Sequence, residues 1–316
     1  MIYEGFLTDV GGIKLGHASD LHGGTGLSVI IPDPGNTAAV EVRGSAPGTR
    51  ETDLLSPINQ VSEVNGIILS GGSAYGLDAA SGLMEALEED GRGFDVGCGI
   101  VPIVSQAVLF DMAYKDPKAR PNAQMAKLAY KNATYDNREE GIIGAGTGAT
   151  VGKGLGMDKA MKSGLGQASL RLGDFVVSAI VCVNAFGDIF DYEEGIQIAG
   201  PKINGKIVNT MDNIGKIAQS FSEVEGKNTT IGLVATNATF DKTKLTKICQ
   251  MSHDAYARSI NPVHTMFDGD TIFALATNKI EADVNIVGAL AAKVMSRAIA
   301  NAIYRSNDQR SNSYIL

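Results

Sequence analysis

Three apolar, β-branched runs begin or end on polar residues of catalytic type, and these runs limit the fold more than any other feature of the chain. Phe175 to Val183 is the clearest of them and stops at Asn184. Ile231 to Thr236 follows the polar stretch Gly226-Lys227-Asn228-Thr229-Thr230. Thr271 to Thr277 follows Phe267-Asp268-Gly269-Asp270. Short runs rich in Val, Ile and Thr and bounded by Gly, Asn and Asp read as buried strands. They are far too short to cross a bilayer.

A chain of 316 residues can bury a sizeable core, as one large domain or two ordinary ones. Its 44% hydrophobic and 20% charged content fit a soluble globular protein, and a net charge of −8 gives no clustered cationic footprint for nucleic acid. Cys98, Cys182 and Cys249 are odd in number and lack CxxC spacing, and the four His residues form no HExxH. Neither a disulfide framework nor a zinc site is expected, and no cofactor is implied. The start, Met1-Ile2-Tyr3-Glu4-Gly5, has neither a basic nor an apolar segment of the secretory kind. A cytoplasmic protein with no membrane partner is the expectation.

Further strands are expected at Leu15 to His17, Leu27 to Ile31, Thr37 to Val42 and Gly66 to Ser70. Helical spacing marks Leu77 to Leu87, Ala123 to Tyr130, a helix capped by Asp241 and running to about Ile260, and Ala282 to Tyr304. Arg43 to Asp53 reads as a polar loop whose two Arg and two acids pair with each other on the surface. The segment 192–227 is linker-like, with one short helix near Met211 to Phe221.

Two glycine-rich stretches invite a phosphate reading and lack its context. Gly71-Gly72-Ser73-Ala74-Tyr75-Gly76 has no Lys-Ser/Thr ending, and Tyr75 stands where a nucleophile elbow needs Gly. It reads as a structural turn lining a pocket. Gly144-x-Gly146-x-x-Ala149 matches the dinucleotide pattern, but no convincing strand precedes it and no helix follows. A nucleotide-binding oxidoreductase is the weakest alternative.

Thr229 places a hydroxyl at the first residue of a strand. If the Asn228–Thr229 bond were cut, Thr229 would carry both a nucleophile and its own base, the α-amine. The plainer alternative is a strand that begins with Thr. Asp268 and Asp270, at i and i+2, point the same way from an extended chain. Their repulsion should push their pKa values apart and hold a proton near a nucleophile. A solvated Asp-Gly-Asp turn is the other possibility; a Ca²⁺ loop is not, because Ile272 and Ala274 stand where oxygens are required.

The ordered set Thr8-Asp9-Val10-Gly11-Gly12-Ile13, Gly48-Thr49-Arg50-Glu51-Thr52-Asp53, Gly71 to Ala80, Gly146-Thr147-Gly148, Asn228-Thr229-Thr230 and Phe267-Asp268-Gly269-Asp270-Thr271 resembles the DmpA family over nearly the whole chain. These are L-aminopeptidase/D-esterases, together with β-peptidyl aminopeptidases and nylon-oligomer hydrolases. The resemblance implies an α+β fold, a four-layer αββα sandwich, in one hydrolase domain spanning 1–316 and autocleaved into 1–228 and 229–316. It implies Thr229 as nucleophile, Asn228–Thr229 as scissile bond, and Asp268 and Asp270 as the paired aspartates that position Thr229. It also implies that Lys153 lowers the pKa of the Thr229 amine and that Asn184 donates to the oxyanion. Small amides or peptides are the implied substrates, and tetramers or larger homo-oligomers the implied assembly. No carboxylate stands at Val151-Gly152-Lys153, where aminopeptidase members can hold a free substrate amine. A non-catalytic homologue binding a small ligand in the same pocket is the alternative.

Overall fold

A computed structural model describes residues 1–219 and 228–308. Its main strands are β1 (Ile13–Asp20), β2 (Thr25–Pro32), β3 (Thr37–Val42), β4 (Gly48–Arg50), β5 (Gly66–Ser70), β6 (Val104–Val108), β7 (Leu165–Leu172), β8 (Phe175–Asn184), β9 (Thr229–Ala238) and β10 (Thr271–Ile280). Its main helices are α1 (Ala79–Glu89), α2 (Ala123–Lys131), α3 (Lys242–Ser259) and α4 (Val284–Asn307). Strand order is β1-β2-β5-β6-β4 in one sheet and β7-β8-β9-β10-β3 in the other.

The apolar side chains divide into three slabs, which define four layers. Along β9, Ile231, Leu233 and Ala235 face the first sheet, where they meet Ile67, Leu69 and Ile30. Val234 and Ala238 point the other way, into a slab shared with Leu245 and Ile248 of α3 and Val287 and Ala291 of α4. A third slab joins Val29 and Ile68 of the first sheet to Leu83 of α1 and Ala126 of α2. Strands covered on both faces have no reason to alternate, so β8 and β9 read as uninterrupted apolar runs. This is the αββα sandwich that the family resemblance implied.

Topology gathers the polar strand ends. β9 and β10 are parallel, with Ile231 opposite Thr271, and the connection between them passes through α3. Parallel neighbours start at the same end of a sheet, so the loop before β10 lies beside the start of β9. β8 runs antiparallel to β9 and finishes there, with Asn184 opposite Thr229. Asp241 fixes the entry to α3 by accepting the Lys244 amide at 2.8 Å.

Two expectations need correction, and two strands went unforeseen. The Arg43–Asp53 loop contains β4, and its arginines do not pair with its acids: Arg43 reaches Glu41 at 3.6 Å, and Arg50 donates to Ser81 Oγ at 3.2 Å. The segment from 192 is no linker as far as residue 219. Ile196–Ala199 pairs with Asp188–Asp191, Lys202–Ile203 pairs with Lys206–Ile207, and a helix covers Ile214–Gln219. Asp188 ties this region down by accepting the Thr210 amide at 2.7 Å. The end of the expected helix at Phe221 lies outside the described residues. The first sheet's β6 and the second sheet's β7 were not foreseen.

Candidate active site

Thr229 is buried at the first position of β9, and its hydroxyl donates to the carbonyl of Asn228, the residue before it. The same carbonyl accepts the Gly269 amide at 3.2 Å. A hydroxyl and a backbone N–H therefore converge on one peptide carbonyl. Gly269 has to be glycine for this: a Cβ there would come within 2.7 Å of the Ala46 carbonyl and 2.8 Å of Thr229 Oγ1.

The loop before β10 runs alongside. Asn228 bridges to Asp268 in parallel register, and Asp270 Oδ1 accepts the Thr230 amide at 2.7 Å. Asp268 Oδ2 takes both the amide and the hydroxyl of Thr265, each at 2.7 Å. Residues 43–46 close over the loop: the Arg43 and Gly44 amides donate to the Asp270 carbonyl, and Ala46 donates to that of Asp268. Both carboxylates are buried. Burial, then the charge of Asp270, pushes Asp268 up to about 6, with the Thr265 bonds and Lys153 pulling the other way. The repulsion expected of the pair is thus expressed at Asp268.

Lys153 comes from a separate turn. Gly152 sits at φ 68, a left-handed conformation that steers the chain inward, and the Gly152 and Lys153 amides bond to Gly187 and Phe186. Lys153 Nζ donates to Asn184 Oδ1 at 2.8 Å and to its carbonyl at 3.0 Å. Burial pulls Lys153 down to about 7 against the attraction of Asp268 and Asp111. Asn184 Oδ1 also accepts the Thr150 amide, while Nδ2 donates to the Phe110 carbonyl at 2.8 Å. Asn184 therefore holds Lys153 in place and uses its Nδ2 on Phe110, and the backbone donor on the Asn228 carbonyl is the Gly269 amide.

All six residues singled out from the sequence, Asn228, Thr229, Asp268, Asp270, Asn184 and Lys153, fall at this one end of the second sheet. Sequence reasoning missed Gly269, Thr265 and His264. His264 Nδ1 lies 2.8 Å from Asp270 Oδ2. Their only sequence mark is membership of the His264–Asp270 loop.

A second buried site went unnoticed. Asp111 accepts Thr25 Oγ1 at 2.6 Å and the Gly72 amide at 2.8 Å, and a Cβ at Gly71 or Gly148 would collide with its carboxylate. The two glycine-rich motifs thus enclose a carboxylate rather than a phosphate. Among the described residues, no three His, Cys, Asp or Glu converge to hold a metal ion.

The profile of Peptidase family S58 matches residues 6–313. A protein of Mycobacterium leprae (strain TN), described as an uncharacterized aminopeptidase, is 39% identical over 324 residues, covering 94% of this chain and 89% of its own. A 6-aminohexanoate-oligomer endohydrolase of Agromyces sp. (strain KY5R) is 30% identical over 312 residues, covering 93% of this chain and 84% of its own. Among solved structures, a Burkholderia sp. β-aminopeptidase superimposes with TM-score 0.69 at 18% identity, over 96% of this chain and 87% of that one. The L-aminopeptidase D-Ala-esterase/amidase from Ochrobactrum anthropi, described as a variant of the N-terminal-nucleophile hydrolase fold, gives 0.67 at 17% identity, over 94% and 85%. These two likenesses carry the fold.

Proposed function

This chain belongs to peptidase family S58 and is a hydrolase, and from that premise we propose that it cuts its own Asn228–Thr229 bond and then hydrolyses amides of small substrates with Thr229 as nucleophile. The observation that carries the proposal is the Thr229 hydroxyl resting on the Asn228 carbonyl, with the Gly269 amide on the same oxygen.

The chemistry follows from these positions. Thr229 Oγ attacks the Asn228 carbonyl carbon and gives its proton to the Asp268 carboxylate. The oxyanion gains from the Gly269 N–H, the kind of donor whose loss typically costs roughly 100- to 1000-fold in rate. As the C–N bond breaks, the proton returns to the departing Thr229 nitrogen, leaving an ester between Asn228 and Thr229 Oγ. Water hydrolyses the ester to an Asn228 carboxylate and a free Thr229.

In the mature enzyme the Thr229 α-amine is the base for attack by its own hydroxyl. Such an amine titrates near ~8, and Lys153, itself pulled down to about 7, lowers this further only while it is protonated. Substrate acylates Thr229, the first product leaves, and water releases the second. The products of self-cleavage, 1–228 and 229–316, remain one domain because β9 and β10 are interior strands of the second sheet. The names of the relatives suggest amides of amino acids, including those with extended backbones such as 6-aminohexanoate. The working form we propose is a cytoplasmic homo-oligomer of processed protomers.

A denaturing gel of purified protein should show two fragments, the smaller starting Thr229-Thr230-Ile231 by N-terminal sequencing. Thr229→Ala should remain whole and inactive towards alanyl p-nitroanilide and 6-aminohexanoate oligomers. Wild-type protein that stays uncut yet hydrolyses these amides would sink the Thr229 mechanism. Uncut protein that only binds them would instead be a ligand-binding homologue.

A further inference from the structure

We infer that His264 is a positioning residue for the nucleophile, acting through Asp270 on the first peptide of β9. The inference rests on the self-cleavage reading and deepens it.

His264 and Thr265 form a two-residue clamp on the carboxylate pair. Each donates its backbone amide and its side chain to one Oδ2: Thr265 to Asp268, both at 2.7 Å, and His264 to Asp270, at 3.3 Å from the amide and 2.8 Å from Nδ1. Nδ1 is the donor in this pair when Asp270 is a carboxylate, because a carboxylate only accepts. The other oxygen of Asp270 accepts the Thr230 amide at 2.7 Å. A continuous line thus runs from the His264 ring through Asp270 to the residue that carries Thr229.

That line orients Thr229 in the uncut chain and also after the bond is cut. Thr229 then loses the covalent restraint of Asn228 and becomes a chain end, and chain ends fray unless tied down. The Thr230–Asp270 bond is such a tie, and it holds its geometry only if the carboxylate is fixed. The ring that fixes it is itself wedged: it meets His253 edge-on at 5.0 Å between centroids and lies tilted against Tyr256 at 6.0 Å. Both neighbours come from α3. His264 also has φ 56, a left-handed conformation uncommon for a residue with a Cβ, so the backbone aims the ring at Asp270.

The φ value selects the test. His264→Gly removes the ring without backbone strain, and His264→Asn tolerates the same φ while placing an amide donor where Nδ1 was. Self-cleavage of freshly synthesised chain is unimolecular, so its first-order rate on a denaturing gel reads positioning without a substrate term. His264→Gly should slow it by roughly 10- to 100-fold, the range expected of a small misplacement, while His264→Asn restores it to within a few-fold of wild type at an unchanged Tm. Once processed, the Gly variant should show reduced kcat and unchanged KM for alanyl p-nitroanilide. Wild-type rates in His264→Gly overturn the inference, as does a His264→Asn variant as slow as the Gly variant. Thr229→Ala separates this from the parent reading. If Thr229→Ala is still cut, the self-cleavage mechanism fails; if it stays whole while His264→Gly behaves as wild type, only the role of His264 fails.

Discussion

Two buried Lys–Asp sites lie near each other, and they differ in what the carboxylate faces. Lys162 and Lys153 are both pulled down to about 7 by burial, and Asp111 attracts both. Asp111 has its own donors, Thr25 Oγ1 and the Gly72 amide, and Lys162 Nζ gives hydrogen bonds to the Gly146, Ala149 and Ser163 carbonyls. Every strong partner there is spoken for. At the other site Asp268 lies beside a second carboxylate, Asp270, in the loop whose Gly269 amide shares the Asn228 carbonyl with the Thr229 hydroxyl. The first arrangement stores charge to close a fold around glycine turns. The second raises one carboxylate beside another, the kind of arrangement that acid–base work uses.

The sharpest way to break this contrast is to neutralise each carboxylate in turn. Asp268→Asn should slow self-cleavage by about 100-fold or more, in keeping with the loss of a general base, with little change in Tm. Asp111→Asn should leave the cleavage rate within a few-fold and lower stability by about 1–3 kcal/mol through its disrupted hydrogen bonds. Gel-based rates and urea unfolding of the uncut Thr229→Ala background check the two halves. Equal effects of the two variants on cleavage would erase the distinction.

A somewhat smaller effect is expected from pH. The proposed cleavage uses Asp268 as the carboxylate, and burial beside Asp270 raises it to about 6. The rate should therefore fall as pH drops below about 6, approaching tenfold per unit, and Asp111→Asn should keep that acid limb in place. A rate that is flat from pH 7 to pH 5 would remove Asp268 from the proton transfer.

Glycines sharpen the same comparison. A Cβ at Gly148 would collide with the Gly24 carbonyl and the Asp111 side chain. Gly148→Ala should cost about 1–3 kcal/mol, as overpacking does, and still be cut. Gly269→Ala meets the Ala46 carbonyl and also Thr229 Oγ1, and should impair cutting beyond what its lost stability explains, which circular-dichroism melting and the gel assay together would resolve.

How far the sequence disclosed all this follows from where each residue finds its partners. β8, β9 and β10 were legible because burial on both faces makes a run apolar throughout. β6 and β7 were not, because Ser105, Gln106, Gly166 and Gln167 interrupt the pattern, and what makes them acceptable lies elsewhere in the chain. Gln106 donates to the Gly76 carbonyl at 2.7 Å, Gln167 accepts the Leu7 amide at 2.8 Å, and Gly166 lets α4 approach. At the site, Thr229, Asn184 and the aspartates stood out as polar ends of apolar strands. Lys153 emerged only through resemblance to a family. His264, Gly269 and Asp111 act through loop geometry or a backbone amide, which no spacing of side chains records.

The smallest effect tests whether the two lysines really are alike in burial and unlike in use. An ordinary lysine titrates near ~10.4, whereas burial holds both of these at about 7. Between pH 7 and 10 the unfolded chain binds protons that the folded chain does not, so stability should rise with pH across that window. Below about 7 the folded protein must carry the buried charges, and this gain is absent. Each lysine contributes at most about 1.4 kcal/mol per pH unit, so Lys162→Met should remove about half of the slope seen by urea unfolding at pH 7.5 and pH 9. Lys153→Met should flatten the slope by a similar amount. The two variants should part company only in function: Lys162→Met keeps self-cleavage and turnover of alanyl p-nitroanilide, while Lys153→Met loses turnover because the Nζ that is hydrogen-bonded to Asn184, opposite Thr229, is gone. Equal loss of turnover in both would make Lys162 part of the reacting site and dissolve the contrast between the two sites.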